Sequence, residues 1–208
     1  MKKNITFEDY NDKYFREISK IINDNWHYNE LASPKTAEIL SFSYLYSCLS
    51  KQTFTKVALI DDLPIGIIVA NNKNKFNFNL LYKLKLIKNI FLLAISSEGR
   101  KVSKIFGNVD NIDNNLLTNL DKDYPAELVF FAVDPKFKGL GIGQSLFFKA
   151  IEYFKFNSIN SFYLFTDTTC NFGFYEHYGM IRKGSFDETL ITDKGKRKIS
   201  FYIYDIDL

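Results

Sequence analysis

The sequence predicts a mixed α/β fold built as a single domain over residues 1–208, with a helical, Asn-rich insertion at 71–123. Three observations carry that expectation. Strand and helix periodicities in the N-terminal third follow the order βααββ; an apolar run, a glycine-rich turn and an amphipathic helix succeed one another after Ala126; and the C-terminal residues return to strand alternation. The length suits one domain with an insertion better than two complete domains. A domain of this size buries about 70% of its unfolded surface and needs no disulfide or metal staple.

Asn4–Phe7 opens the chain as a strand. Phe15, Ile18, Ile22 and Trp26 recur at three- and four-residue spacing, which predicts an amphipathic helix over 10–26. Ser33-Pro34 offers an N-cap and a first-turn proline for a second helix, which carries Leu40, Tyr44 and Leu45 and ends near Leu49. Phe54–Ile60 and Pro64–Ala70 read as strands joined by a tight turn at Asp61-Asp62-Leu63. Polar breaks at 71–75 and 108–123 bracket Leu80–Phe106, a Leu- and Lys-rich segment expected to be helical in two pieces split near Ser96-Ser97-Glu98-Gly99. Packing of this segment on the core or on a second subunit, which leaves a homodimer open, is favoured over a membrane-surface helix, because its charged face is short.

Leu128–Val133 is six consecutive apolar residues, the pattern of a strand buried on both faces, and Asp134-Pro135 ends it. After the glycine-rich turn comes a helix with Leu146, Phe147, Ala150, Ile151 and Phe154 on one face. Ser161–Thr166 is a further strand. Asp167-Thr168-Thr169 is placed to cap a short helix running through Tyr178 and closed by Gly179. Met180–Phe186 and Lys198–Asp207 complete the set of strands.

Composition narrows the function classes. Aromatic residues make up 17% of the chain, which excludes disorder for its bulk. A net charge of +3 is too mild to signal nucleic acid. Two cysteines without a CxxC spacing and two histidines argue against a disulfide framework or a metal site. The N-terminus has no apolar run of the secretory type, and no stretch reaches the ~18 apolar residues of a membrane span. The expectation is a soluble, reduced, cytoplasmic protein.

Chemistry concentrates at Lys138-Gly139-Leu140-Gly141-Ile142-Gly143, between a buried strand and a helix. Glycines let the backbone approach a ligand, and the free N–H groups of a first helical turn point at phosphate oxygens. A dinucleotide fingerprint fails because Gln144 stands where the third glycine or alanine belongs. A nucleoside-triphosphate loop fails because the motif continues Gly-Gln-Ser rather than Gly-Lys-Ser/Thr.

The loop resembles the pyrophosphate motif Gln/Arg-x-x-Gly-x-Gly/Ala of the GNAT superfamily of acyl-CoA-dependent N-acyltransferases, with Lys138 in place of the usual Arg or Gln. Asn171-Phe172-Gly173-Phe174-Tyr175-Glu176-His177-Tyr178-Gly179-Met180 is similar to a second family element, Asn-x-x-x-x-Tyr-x-x-x-Gly-Phe. The likeness is strong over 124–187, weaker over the N-terminal βααββ order, and does not cover 71–123. It implies a central, mixed, largely antiparallel sheet flanked by helices, and acetyl-CoA as cosubstrate with no metal. Val133 and the amides of Lys138, Gly139, Leu140, Gly141, Ile142 and Gly143 would hold pantetheine and pyrophosphate, and Asn171 the cofactor arm. Tyr175 would protonate the departing thiolate.

Glu127, beside the apolar run, is a carboxylate whose pKa desolvation should raise toward that of a useful base. The same place is held by a glutamate base in the histone-acetylating branch that Ala126–Phe130 resembles. The implied reaction is direct attack by an amine on the acetyl carbonyl, the amine being deprotonated through Glu127 or a water it holds. Cys170 raises an acetyl-cysteine alternative, but its only neighbouring base in sequence is His177, so it is read as a buried thiol and His177 as a surface residue. The acceptor is expected between the first two helices and the 187–197 connection. Polyamine, aminoglycoside, peptide N-terminus and protein lysine are all compatible with this reading. A non-catalytic acyl-CoA-binding or sensing module is the alternative.

Overall fold

The computed structural model describes residues 4–75, 77, 79–192 and 195–208. One seven-stranded sheet organises them: β1 (Ile5–Asp9), β2 (Phe54–Ile60), β3 (Leu63–Asn72), β4 (Ala126–Val133), β5 (Ser161–Asp167), β6 (Ile181–Thr192) and β7 (Gly195–Asp207). Their spatial order is β1-β2-β3-β4-β5-β7-β6. Every neighbouring pair is antiparallel except β4 and β5, which run parallel. The helices are α1 (Phe15–Trp26), α2 (Tyr28–Leu31), α3 (Pro34–Lys51), α4 (Leu80–Ile95), α5 (Ser97–Thr118), α6 (Ile142–Phe156) and α7 (Gly173–His177). The mixed α/β class, with its mostly antiparallel sheet flanked by helices, is the one the sequence predicts. Among the described residues, no helix is long and apolar enough to cross a membrane.

Strand periodicity decides which helix covers which face. Val57, Leu59, Ile67 and Val69 meet Ile18, Ile22, Leu45 and Leu49 of α1 and α3. Ala58, Ile60, Phe162, Leu164 and Tyr204 turn the other way, onto Leu146, Phe147 and Phe154 of α6. Ile199, Phe201, Ile203 and Tyr163 form a third cluster with Ile112 and Leu116 of α5.

Local signals place most element boundaries. Asp61 and Asp62 both take positive φ (50° and 63°) in the two-residue turn between β2 and β3, the geometry that matches hairpin twist. Ser96 ends α4 and starts α5, its Oγ accepting from the Gly99 amide at 2.9 Å, so the helical segment splits where expected.

Four expectations change. The first helix begins at Phe15 rather than residue 10, because Asn11 opens a separate 3-10 turn over Asp12–Tyr14. Ser33 precedes α3 but makes no cap bond; its hydroxyl donates to Glu98 at 2.6 Å, tying α3 to the start of α5. Residues 108–118 are helical, not a polar break, because Ile112 and Leu116 bury against β5 and β7 and outweigh the weak helix propensity of the intervening Asn and Asp residues. The 187–197 connection is paired strand to strand from Asp187↔Ser200 to Thr192↔Gly195, and residues 193–194 lie outside the described residues.

The junction of β4 and β5 shapes the centre of the molecule. Their only ladder pair is Glu127↔Tyr163, so the strands part beyond the first residues of β4. A bulge opposite Val69/Ala70 places Val129 as an extra residue in β4. Val129 and Phe130 consequently share the α1/α3 face, while Leu128, Phe131 and Val133 lie on the α6 face. Phe131 and Val133 are only partly buried, unlike the doubly buried strand expected, because they pair with β3 on one side and not with β5 on the other.

Candidate active site

The parting of β4 from β5 opens the sheet at its middle, and the glycine-rich loop that follows β4 stands at one rim of this opening. Asp134 ends β4 by accepting from the Lys136 amide at 2.9 Å, opening a 3-10 turn over Pro135–Phe137. Gly139 and Gly141 then take φ of +84° and +73°, conformations that disfavour most L side chains. Gly141 is the N-cap of α6 and supplies no side-chain acceptor. The first-turn amides of Ile142, Gly143 and Gln144 are therefore uncapped donors at the positive end of a 15-residue helix. Lys138, Gly139, Leu140 and Gly141 are exposed, so a ligand can reach this backbone. Val133 lies at the last turn of β4, its carbonyl accepting from Asn25 Nδ2 at 3.4 Å. The geometry fits a pyrophosphate.

The opposite rim comes from β5 and the segment leading into α7. Asp167 accepts from the Thr169 amide at 2.6 Å, forming a tight turn rather than capping a helix. The helix is accordingly shorter than expected, with Phe172 as its N-cap. Asn171 is exposed, its carbonyl accepting from the Phe174 amide at 3.1 Å. Tyr175 packs edge-on to Phe131 of β4 and against Phe147 of α6 and Tyr204 of β7. Burial, then the nearby Cys170, raises the Tyr175 phenol well above its usual range, so it holds its proton.

Two features hold α7 in place. Gly179, at φ +84°, turns the chain back after Tyr178. Glu176 accepts from the Tyr204 hydroxyl at 2.6 Å and from Arg182 at 2.7 Å, while Arg182 Nε donates to the same hydroxyl at 2.8 Å. The guanidinium also lies 3.9 Å from the Tyr202 ring. Residues either side of Tyr175 are thereby tied to β6 and β7.

At the paired end of the opening, Glu127 and Tyr163 are partners in the single β4–β5 register pair. Desolvation raises the Glu127 carboxyl above the usual carboxylate range, against the pull of Lys51, Lys73 and Tyr163. Asp113 of α5 is pushed up to about 7, by burial first and then by the negative charges of Asp110, Asp167 and Glu127. Four acids from three elements thus act on one another, with the buried Cys48 of α3 within electrostatic reach of Glu127.

Cys170 lies between the two sides electrostatically, acting on Tyr28 and Tyr44 as well as on Tyr175. Its own thiol is raised by burial and by Asp167, which opposes a resting thiolate nucleophile. His177 is exposed on α7 against the Tyr178 ring.

The sequence-selected residues are therefore distributed around the β4–β5 opening, on its two rims and at its paired end. Glu127 and Tyr175 do not touch; they stand on opposite faces of the sheet, either side of the β4–β5 opening. The acids of α5 and the Glu176–Arg182–Tyr204 clamp escaped the sequence reading. Their partners are brought together by the sheet, and only the Glu176/Arg182 opposite-charge pair across the Gly179 turn left a local signal.

The Acetyltransferase (GNAT) family model matches residues 15–180. Among solved structures, PH1933 from Pyrococcus horikoshii OT3 is similar, with a TM-score of 0.59 at 16% identity over 99% of this chain and 100% of that one. An N-acetyltransferase from Staphylococcus aureus Mu50 gives 0.55 at 13% identity over 98% of both chains. The smu.2055 structure from Streptococcus mutans UA159 gives 0.58 at 11% identity, covering 97% of this chain and 98% of that one. No curated protein matches the sequence significantly. At these identities the structures speak to the fold, and the family model spans most of the chain. The chain belongs to the GNAT acetyltransferase family.

Proposed function

We propose that this protein transfers the acetyl group of acetyl-CoA to a primary amine by direct attack. The observation that carries the reading is the mid-sheet opening between β4 and β5, with an uncapped helix N-terminus and left-handed glycines at one rim and Tyr175 at the other. The amides from Lys138 to Gly143 bind the pyrophosphate, while Val133 and Asn171 hold the pantetheine arm. The acyl chain then reaches the unpaired edge of β4, whose backbone N–H groups stabilise the oxyanion. The amine lone pair forms the C–N bond as the C–S bond breaks. Tyr175 gives its phenolic proton to the departing sulfur, and the nitrogen's proton passes to Glu127, directly or through a water.

The acid-rich face supports a cationic acceptor. Asp110, Asp167 and Glu127 all bear on Asp113, so an ammonium is attracted before it loses its proton. Helix α5, which the sequence motifs did not reach, supplies two of these acids. The test is release of free CoA thiol from acetyl-CoA after adding diamines, triamines, monoamines or a lysine-containing peptide. Thiol release should depend on the amine and be faster for acceptors with a second positive charge. Release that ignores every amine, or no release while acetyl-CoA binds, contradicts the reading and leaves a binding module.

A further inference from the structure

Helix α4 is apolar on both sides, although only one side packs on the protein. Tyr82, Asn89 and Leu93 face inward. The inward side is anchored by the Tyr82 hydroxyl, which donates to Asp12 at 2.7 Å, and by Lys85, which lies 3.7 Å from the same carboxylate. Leu80, Leu84, Ile87, Phe91 and Ile95 point outward and are 54–64% exposed, with Ile90 beside them at 53%. A helix hydrophobic all round is normally covered all round.

We propose that this outward face pairs two copies of the chain about a two-fold axis. Leu80, Leu84, Ile87, Phe91 and Ala94 recur at four- and three-residue spacing, which sets them in one straight seam along α4. An antiparallel pairing centred at Ile87 is self-complementary: Leu80 lies across from the second copy's Ala94, Leu84 beside its Phe91, and the two Ile87 side chains meet at the axis. The exposed portions of these residues amount to roughly 700 Å² of mainly apolar surface. That exceeds the largest patch of a typical monomer, about 300–600 Å², and approaches the ~800 Å² per partner of a standard interface.

Charge argues against a lipid surface as the occupant. Lipid recognition by charge uses clusters of about four to eight basic residues. On α4, Lys85 is turned inward, leaving Lys83 and Lys88 toward the margins of the seam. The seam belongs to a helix held firmly on α3, so the surface exists before a partner arrives. This inference does not depend on the acceptor or the catalytic residues.

Sedimentation velocity of the full chain across about 1–100 μM, with and without 0.5 M NaCl, tests it, since apolar pairing resists salt and lipid attraction does not. The expected species is a dimer in both salts. Ile87→Asp, which places two carboxylates at the axis, should give a monomer with an unchanged circular dichroism spectrum and unchanged acetyl-CoA binding. A second variant, Ile87→Cys, should form a disulfide-linked dimer on mild oxidation. A wild-type monomer at 100 μM, or a dimer that survives Ile87→Asp, overturns the proposal. A monomer that sediments with anionic vesicles also overturns it and assigns the face to lipid.

Discussion

Tyr175→Phe is expected to lower turnover about 100-fold or more while leaving acetyl-CoA affinity within about twofold, the range general-acid removal produces. The substitution deletes only the hydroxyl. The ring keeps its contacts with Phe131, Phe147 and Tyr204, so the cleft wall stays in place. Burial raises the phenol pKa, which keeps the hydroxyl protonated at neutral pH and available to the leaving sulfur. Steady-state thiol release and equilibrium titration of the cofactor separate the two effects. Equal losses in both would make Tyr175 a packing residue, and an unchanged rate would remove it from the chemistry.

Glu127→Gln is expected to lower kcat/KM by about 10²-fold at neutral pH and to abolish an acid limb in the pH profile. The sign follows from the base role. A base acts when deprotonated, and desolvation raises the Glu127 pKa, so wild-type kcat/KM falls as pH drops through that raised value. The limb should lie above the ordinary carboxylate range. Asp113, pushed up to about 7, interacts with Glu127, so the limb reports the pair. An Asp113→Asn variant should accordingly move the limb to lower pH, because one source of repulsion is gone. A limb that persists in Glu127→Gln would transfer the base role elsewhere.

How far such residues were legible depends on whether their signal is local. β2 was read to the residue, and the break at Ser96 near its true place, because turn chemistry and short-range periodicity decide both. The loop from Lys138 to Gly143 is equally local: its glycines answer to the φ each position requires. Long-range packing was less legible. Asn and Asp residues at 108–118 signal a break, yet Ile112 and Leu116 find apolar partners far along the chain and extend α5. The long β6–β7 hairpin obeys the same logic, its polar outer half being paired strand to strand. Ser33 had the right composition for a cap, but its hydroxyl went to Glu98, 65 residues away.

The cleft shows both cases. Glu127 was conspicuous as a carboxylate beside apolar residues, whereas Asp110 and Asp113 looked like ordinary polar residues of an Asn-rich stretch. Only the fold of α5 over Tyr163 half-buries Asp113 within electrostatic reach of Glu127, with Asp110 exposed beside it. The parting of β4 from β5 likewise cannot be read from either strand alone, since it is a property of their pairing.

The central claim is that acetyl-CoA binds with its pyrophosphate on the loop before α6, and thermal unfolding with and without acetyl-CoA tests it most directly. Ligand at 100 times its dissociation constant stabilises the folded state by about 2.7 kcal/mol. For a domain of this length that is a rise of roughly 5–11 °C in Tm. Gly141→Asp is the matched control: aspartate tolerates the φ of +73° better than most residues, and its carboxylate repels a phosphate at the N-cap of α6. The account predicts the full shift in the wild type and none in the variant at the same ligand concentration. No shift in the wild type at millimolar acetyl-CoA, or an equal shift in both proteins, would contradict it.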